Sequence, residues 1–128
     1  MTTKKGIAIL GSTGSIGTQA LEVFESYESY FELVVLTAHS NADLLIEQAL
    51  KYKPNTVVIV DESKLQLVKT ALQHEDIKVF AGEESLSQVV AFHDVHIVLT
   101  ALVGYAGLKP TLAAIEAKKN IALANKET

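Results

Sequence analysis

Gly6-Ile7-Ala8-Ile9-Leu10-Gly11-Ser12-Thr13-Gly14-Ser15-Ile16-Gly17 decides how the chain is read. Gly6 to Leu10 is a short apolar run that stops at a glycine, the pattern of a buried strand. Ile16, Ala20, Val23 and Phe24 then recur at helical spacing over residues 16–27. The glycines therefore occupy the turn between a strand and a helix. Glycine permits the tight turn and lets backbone approach a phosphate closely. A helix N-terminus adds unpaired N–H groups and a partial positive charge. Ser12, Thr13 and Ser15 add hydroxyl donors. The spacing is G-x-x-G-x-x-G, not the G-x-G-x-x-G of many NAD dehydrogenases. A turn that merely packs helix on strand accounts for Gly17, but not for three hydroxyl residues among the glycines. Residues 11–17, with Gly11 at the turn, are read as a dinucleotide cradle.

Outward from this loop the alternation continues. Strands are expected at residues 31–38, 56–60, 77–81, 96–101 and 120–124, each rich in β-branched or other apolar residues. Between them lie helical patterns at 41–53, 63–73, 83–92 and 108–119. Asn41 suits a helix N-cap, Pro54 closes that helix, and Pro110 is tolerable only near a first turn. Strand and helix in strict alternation predict an α/β fold, a Rossmann-like, doubly wound parallel sheet with helices on both faces, three layers in all. The first strand is expected in the middle of the sheet, with the glycine loop at its carboxyl edge.

Composition narrows the function. The 128 residues are 48% hydrophobic and 20% charged, too apolar for intrinsic disorder and suited to one domain over residues 1–128. The net charge is −4, and every basic residue is lysine. An acidic chain without arginine is a poor match to nucleic acid, whose phosphates call for Lys/Arg patches. Phosphate, if bound, must be held by backbone N–H, hydroxyls and lysine. Cysteine is absent, so disulfides, thiolate nucleophiles and Cys-based zinc sites are excluded. No apolar run reaches the roughly 18 residues of a membrane span, and the start is too short for a signal-peptide core. No membrane association and a cytoplasmic location are expected.

Three further segments bear on a nucleotide site. After the second strand, Thr37-Ala38-His39-Ser40-Asn41 contains no acid, and the first is Asp43. NAD sites usually place a carboxylate there for the ribose 2′-hydroxyl, and a carboxylate would repel a 2′-phosphate. Its absence permits NADP(H), with His39, Ser40 and Asn41 as donors. Ser40 is favoured as a cofactor contact, whereas Asn41 reads equally well as a contact or as a helix cap alone. Residues 100–107 place small residues after the fifth strand, where a nicotinamide could approach or a tight turn could simply form. Asn125-Lys126-Glu127 follows the sixth strand, either as ligand-edge groups or as a solvated polar end. His74, His93 and His96 lack metal-ligand spacing and read as surface or turn residues.

Gly11-Ser12-Thr13-Gly14-Ser15-Ile16-Gly17, Val103-Gly104-Tyr105-Ala106-Gly107-Leu108-Lys109-Pro110-Thr111 and Ala124-Asn125-Lys126-Glu127-Thr128 occur in this order at family-like spacing. Together they resemble the 1-deoxy-D-xylulose 5-phosphate reductoisomerases of the non-mevalonate isoprenoid pathway. The resemblance spans the whole chain but only the amino-terminal part of the family's proteins. It implies NADPH as cofactor and 1-deoxy-D-xylulose 5-phosphate as substrate, rearranged and reduced to 2-C-methyl-D-erythritol 4-phosphate. It also implies a divalent metal (Mg, Mn or Co) and a homodimer for the full-length enzyme. By the family's pattern Thr13, Gly14, Ser15, Ile16, Asn41, Asn125 and Glu127 contact NADPH, and Lys126 contacts substrate. The family commonly has Gly-Lys-Asn or Gly-Arg-Asn where this chain has His39-Ser40-Asn41, so the usual cation for the 2′-phosphate is missing. NADPH is expected to be preferred over NADH by a smaller margin.

The family's metal carboxylates, flexible loop and substrate-phosphate serines lie beyond residue 128. No metal ligand and no catalytic residue is expected within this stretch, which reads as a cofactor domain, inactive alone and cut rather than finished at Thr128. A stand-alone NAD(P)-sensing module and a domain of another NADP reductase are the alternatives. Neither requires the Asn-Lys-Glu ending.

Overall fold

The computed structural model describes residues 4–101 and 108–123. In chain order the elements are β1 (Lys5–Leu10), α1 (Ser15–Glu25), β2 (Phe31–Ala38), α2 (Ala42–Tyr52), β3 (Thr56–Ile59), a 3-10 turn (Glu62–Lys64), α3 (Leu65–Ala71), β4 (Lys78–Ala81), α4 (Glu83–Val89), β5 (Ile97–Thr100), α5 (Leu108–Glu116) and β6 (Asn120–Leu123). The six strands form one parallel sheet in the order β4-β3-β2-β1-β5-β6. The expected α/β architecture is what the chain adopts, with β1 in the interior of the sheet.

Strand residues alternate between two cores on opposite faces, as the two-residue period requires. Ile9, Val57 and Ile59 face α1, α2 and α3 through Leu21, Leu45 and Val68. Ala8, Leu10, Val58 and Val98 face α4 and α5 through Leu86, Val89 and Ala114. Helices thus cover both faces, and β1 to β3 are buried almost throughout, which accounts for their continuous apolar runs. One irregularity breaks the alternation. Ile7 pairs with Leu33 but Ala8 pairs with Val35, so Val34 is an unpaired extra residue. Val34 and Val35 consequently both enter the α4/α5 core, while Leu33 and Leu36 enter the other.

Several element ends differ from expectation for local reasons. The helix read at 63–73 begins as the 3-10 turn, because the Asp61 carboxylate accepts from both the Ser63 N–H (3.0 Å) and the Ser63 hydroxyl (2.7 Å). That side-chain turn winds the entry tightly before α3 starts. The helices read to Tyr27, Phe92 and Lys119 stop at Glu25, Val89 and Glu116, each passing into turns. Residues 41–53 behave as read: the Asn41 side chain accepts from the Leu44 N–H at 3.2 Å, and Lys53 ends the helix in a left-handed conformation (φ 53°).

Candidate nucleotide-binding site

The connections β1-β2-β3-β4 run outward on one side of β1, and β5 returns to the other side. The crevice outside the carboxyl ends of β1 and its neighbours is therefore the point where strand order reverses. In open α/β sheets that is where ligands bind. Among the described residues, the loops at 11–14 after β1 and 39–41 after β2 meet this edge.

Gly11 leaves β1 with φ +81°, a left-handed conformation that side chains disfavour. Its N–H donates to the Thr37 hydroxyl (3.0 Å), and the next N–H, of Ser12, donates to the Thr37 carbonyl (2.8 Å). The loop is thus seamed to the end of β2. Gly14 is the N-cap of α1, and the first helical bond runs from the Thr18 N–H to the Gly14 carbonyl at 2.8 Å. The N–H groups of Ser15, Ile16 and Gly17 precede that bond and have no helical acceptor. No side chain caps this end, and no acid lies in the first turn. A helix start left with its donors free and its dipole uncompensated suits an external anion.

The glycines divide by role. A Cβ on Gly17 would fall 2.1 Å from the Gly11 carbonyl oxygen and 2.6 Å from the Ser12 Cα, so Gly17 lets α1 press on the loop backbone. A Cβ on Gly14 would meet nothing nearer than 3.9 Å. Gly14 and Ser15 are exposed at the crevice, with Thr13 and Ile16 partly so. These four residues, placed with Gly11 on one turn, are the ones singled out from sequence.

Ser12 departs from its reading as a phosphate donor. It is fully buried, and its hydroxyl donates to the Gln48 Oε1 at 2.7 Å, with the Thr37 carbonyl at 3.2 Å. The Gln48 amide returns a bond to the Ser12 carbonyl at 2.9 Å. Thr37 and Gln48 are thus site-building residues not identified as such from the sequence. The available signal was a glutamine within the apolar stripe of α2, beside Leu44, Leu45 and Ala49.

His39, Ser40 and Asn41 are all exposed at the end of β2. Capping uses the Asn41 Oδ1 only, which leaves its amide N–H groups able to donate to a ligand, so the two readings of Asn41 are compatible. The Asp61 N–H donates to the His39 carbonyl at 2.7 Å, joining the loop after β3 to this segment. Hydrogen bonds from the Ser63 hydroxyl and N–H hold the Asp61 carboxyl below its ordinary value, helped by the nearby Lys64 and His39. An ionised carboxylate therefore stands beside the segment proposed for a 2′-phosphate. His93 and His96 are exposed, as read, and the His96 Nδ1 accepts from the Gly6 N–H at the far end of β1. Val103 to Gly107, Asn125, Lys126 and Glu127 lie outside the described residues.

Among the described residues no three His, Asp or Glu side chains come together as a metal site. None of their helices is long and apolar enough to cross a membrane.

A family profile described as 1-deoxy-D-xylulose 5-phosphate reductoisomerase matches residues 7–128. The Bacteroides thetaiotaomicron protein of that name is 58% identical over 125 residues, covering 98% of this chain and 32% of the relative. Among solved structures, the Zymomonas mobilis reductoisomerase in complex with NADPH superposes with a TM-score of 0.89 at 34% identity, over 96% of this chain and 32% of that one. A DOX-P reductoisomerase in complex with NADPH, fosmidomycin and magnesium gives 0.90 at 32% identity, over 94% and 30%. The chain therefore spans about a third of the length of the proteins it matches.

Proposed function

The chain belongs to the 1-deoxy-D-xylulose 5-phosphate reductoisomerase family, and from that premise we propose that residues 1–128 are the NADPH-binding domain of such an enzyme. The observation that carries the reading is the glycine loop. At the strand-order switch it offers backbone donors without helical acceptors, beside a Gly14 whose missing Cβ leaves open space. In this reading the pyrophosphate rests on residues 13–16, with Gly11 shaping the turn. Ser40 and the Asn41 amide receive the ribose 2′-phosphate. Asn125 and Glu127 contact the nicotinamide end, and Lys126 contacts the substrate; these three rest on the family resemblance.

NADPH, when bound, supplies the hydride that reduces the rearranged aldehyde. The chain's own residues bind and orient it, presenting the dinucleotide across the carboxyl edge of the sheet. Among the described residues no group of three His, Asp or Glu side chains could hold a divalent metal. The complete reaction, from 1-deoxy-D-xylulose 5-phosphate to 2-C-methyl-D-erythritol 4-phosphate in isoprenoid biosynthesis, is proposed for the full-length enzyme, a cytoplasmic homodimer. Calorimetric titration of the 128-residue chain with NADPH tests the reading, with the expected result a single site and no product formed when substrate is added. Absence of NADPH binding by both this chain and the full-length enzyme overturns it.

The same titration tests how the 2′-phosphate is read. His39-Ser40-Asn41 offers exposed polar groups but neither Lys nor Arg, and the Asp61 carboxylate stands close by. Hydrogen bonds that involve a cation are stronger than neutral ones by about 1 kcal/mol. Ser40→Lys is therefore expected to tighten NADPH about fivefold while leaving NADH nearly unchanged. An equal change for both nucleotides would place the 2′-phosphate elsewhere.

A further inference from the structure

We propose that Gln48 is a positioning residue for the bound dinucleotide: acting through Ser12, it fixes the pyrophosphate loop relative to the segment that receives the adenosine end. The inference rests on the reading of residues 11–17 as the NADPH cradle, and it adds a residue that touches no part of the cofactor.

Gln48 is 6% exposed and sits two turns into α2, on the face that packs against the sheet. Leucine would fill such a position without cost in desolvation. A buried amide is tolerated only when its donors and acceptors are met. Here the Oε1 accepts from the Ser12 hydroxyl at 2.7 Å and the Nε2 donates to the Ser12 carbonyl at 2.9 Å. The pair is reciprocal, and it engages the Ser12 backbone as well as its side chain. Among the described residues these two bonds are the only hydrogen bonds between the glycine loop and α2.

Thr37, near the end of β2, accepts from the Gly11 and Ser12 N–H groups, with its carbonyl also 3.2 Å from the Ser12 hydroxyl, and within the loop the Gly14 N–H donates to the Gly11 carbonyl at 3.4 Å. Gln48 is therefore what grips the Ser12 carbonyl, the peptide that leads into Thr13 and Gly14. The same helix begins directly after Asn41, which caps it. One rigid element thus carries the adenosine-end segment at its start and the grip on the pyrophosphate loop along its buried face. Thr37 seams the Gly11 and Ser12 N–H groups to the end of β2, and Gln48 adds the hold on the Ser12 carbonyl, so the two together set the distance between the two parts of the cofactor site.

The consequence differs from that of a residue reading the 2′-phosphate. Pyrophosphate is common to NADPH and NADH, so loosening the loop must weaken both by the same factor. Losing one hydrogen bond to a charged pyrophosphate oxygen is enough for a loss of about tenfold or more. The test uses the full-length reductoisomerase carrying this domain, with Gln48→Met, which keeps the length and bulk but removes both hydrogen bonds. Calorimetric Kd values for NADPH and NADH are expected to rise together about tenfold. KM for NADPH should rise likewise, with kcat little changed and circular dichroism native. Ser12→Ala should weaken both nucleotides less, because the Gln48 bond to the Ser12 carbonyl survives. Adding it to Gln48→Met should cost little more, since both act on one linkage. Should Gln48→Met not fold, Ser12→Ala alone carries the test, and an unchanged Kd in it overturns the proposal. A lowered melting temperature with both Kd values unchanged makes Gln48 a purely structural residue and overturns it too. Loss of NADPH affinity alone would assign Gln48 to the 2′-phosphate, which also overturns it. If the unsubstituted enzyme binds neither nucleotide, the reading of the loop itself fails, and that outcome is distinct from the others.

Discussion

Gly17→Ala is expected to lower the melting temperature of the domain by about 10 °C and to remove measurable NADPH binding with it. The added Cβ would fall 2.1 Å from the Gly11 carbonyl oxygen, 2.6 Å from the Ser12 Cα and 2.7 Å from the Ser12 carbonyl carbon. All three are backbone atoms, so no rotamer change relieves the clash. Either α1 lifts off the loop or the loop leaves β1. Lifting α1 disturbs Leu21, buried in the core that α1 shares with β1 and β2. Moving the loop breaks its bonds to Thr37 and Gln48. Overpacking of a well-packed site costs about 1–3 kcal/mol, and a backbone clash this close belongs at or above the upper end. Against a total stability of about 5–15 kcal/mol, that is a large fraction. A thermal melt followed by circular dichroism, with and without NADPH, measures both effects. A melting temperature within about 2 °C of the parent would mean that α1 does not rest on the loop as described.

The behaviour of Gly17 was legible in the sequence because its cause is local: a helix that follows a strand after four residues must cross it closely. The same is true of most of the fold. The runs Leu33-Val34-Val35-Leu36 and Thr56-Val57-Val58-Ile59 read as buried strands because the sheet is covered on both faces, and Asn41 read as a cap because its side-chain oxygen satisfies a free helical N–H. What escaped was set by tertiary partners. Val34 carries no mark of being the unpaired residue of β2, since valine suits either face. The tight entry to α3 depends on the Asp61 carboxylate turning onto Ser63.

Ser12 shows the limit most clearly within the candidate site. A serine in a glycine loop has the same donor whether it faces a phosphate or the protein interior. Only the presence of Gln48, 36 residues away, decides between them, and it claims the hydroxyl at 2.7 Å. Composition and spacing point to a candidate cradle but could not say which of its hydroxyls were already engaged. Thr13 is half-buried and Ser15 exposed beside Ser12, and theirs are the loop hydroxyls on which the proposed phosphate contact rests.

Gly14→Ala is expected to give the opposite pairing of effects from Gly17→Ala: stability nearly unchanged and NADPH affinity lowered by tenfold or more. Gly14 has φ −78° and ψ 176°, extended backbone open to any residue, and the nearest atom to an added Cβ is at 3.9 Å. Restricting the unfolded chain by replacing glycine at such a site contributes about 0.4–1 kcal/mol of stability. Alanine is a poorer N-cap than glycine, and this offsets the gain by a similar amount. Nothing in the domain therefore requires glycine here. If the position serves the ligand, the reason is the space itself: a pyrophosphate seated on the Ser15 and Ile16 N–H groups approaches the Gly14 Cα from the open side, where a methyl would stand in its path. Displacement by about 1 Å would stretch those hydrogen bonds beyond useful length, and losing one to a charged oxygen, at about 1.5–3 kcal/mol, is enough for a loss of that size. NADH must lose affinity by the same factor, because the clash is with the shared pyrophosphate. A calorimetric titration of both nucleotides, paired with a thermal melt, separates the outcomes. Unchanged affinity in a stably folded Gly14→Ala protein would remove Gly14 from the cradle and move the pyrophosphate away from the start of α1.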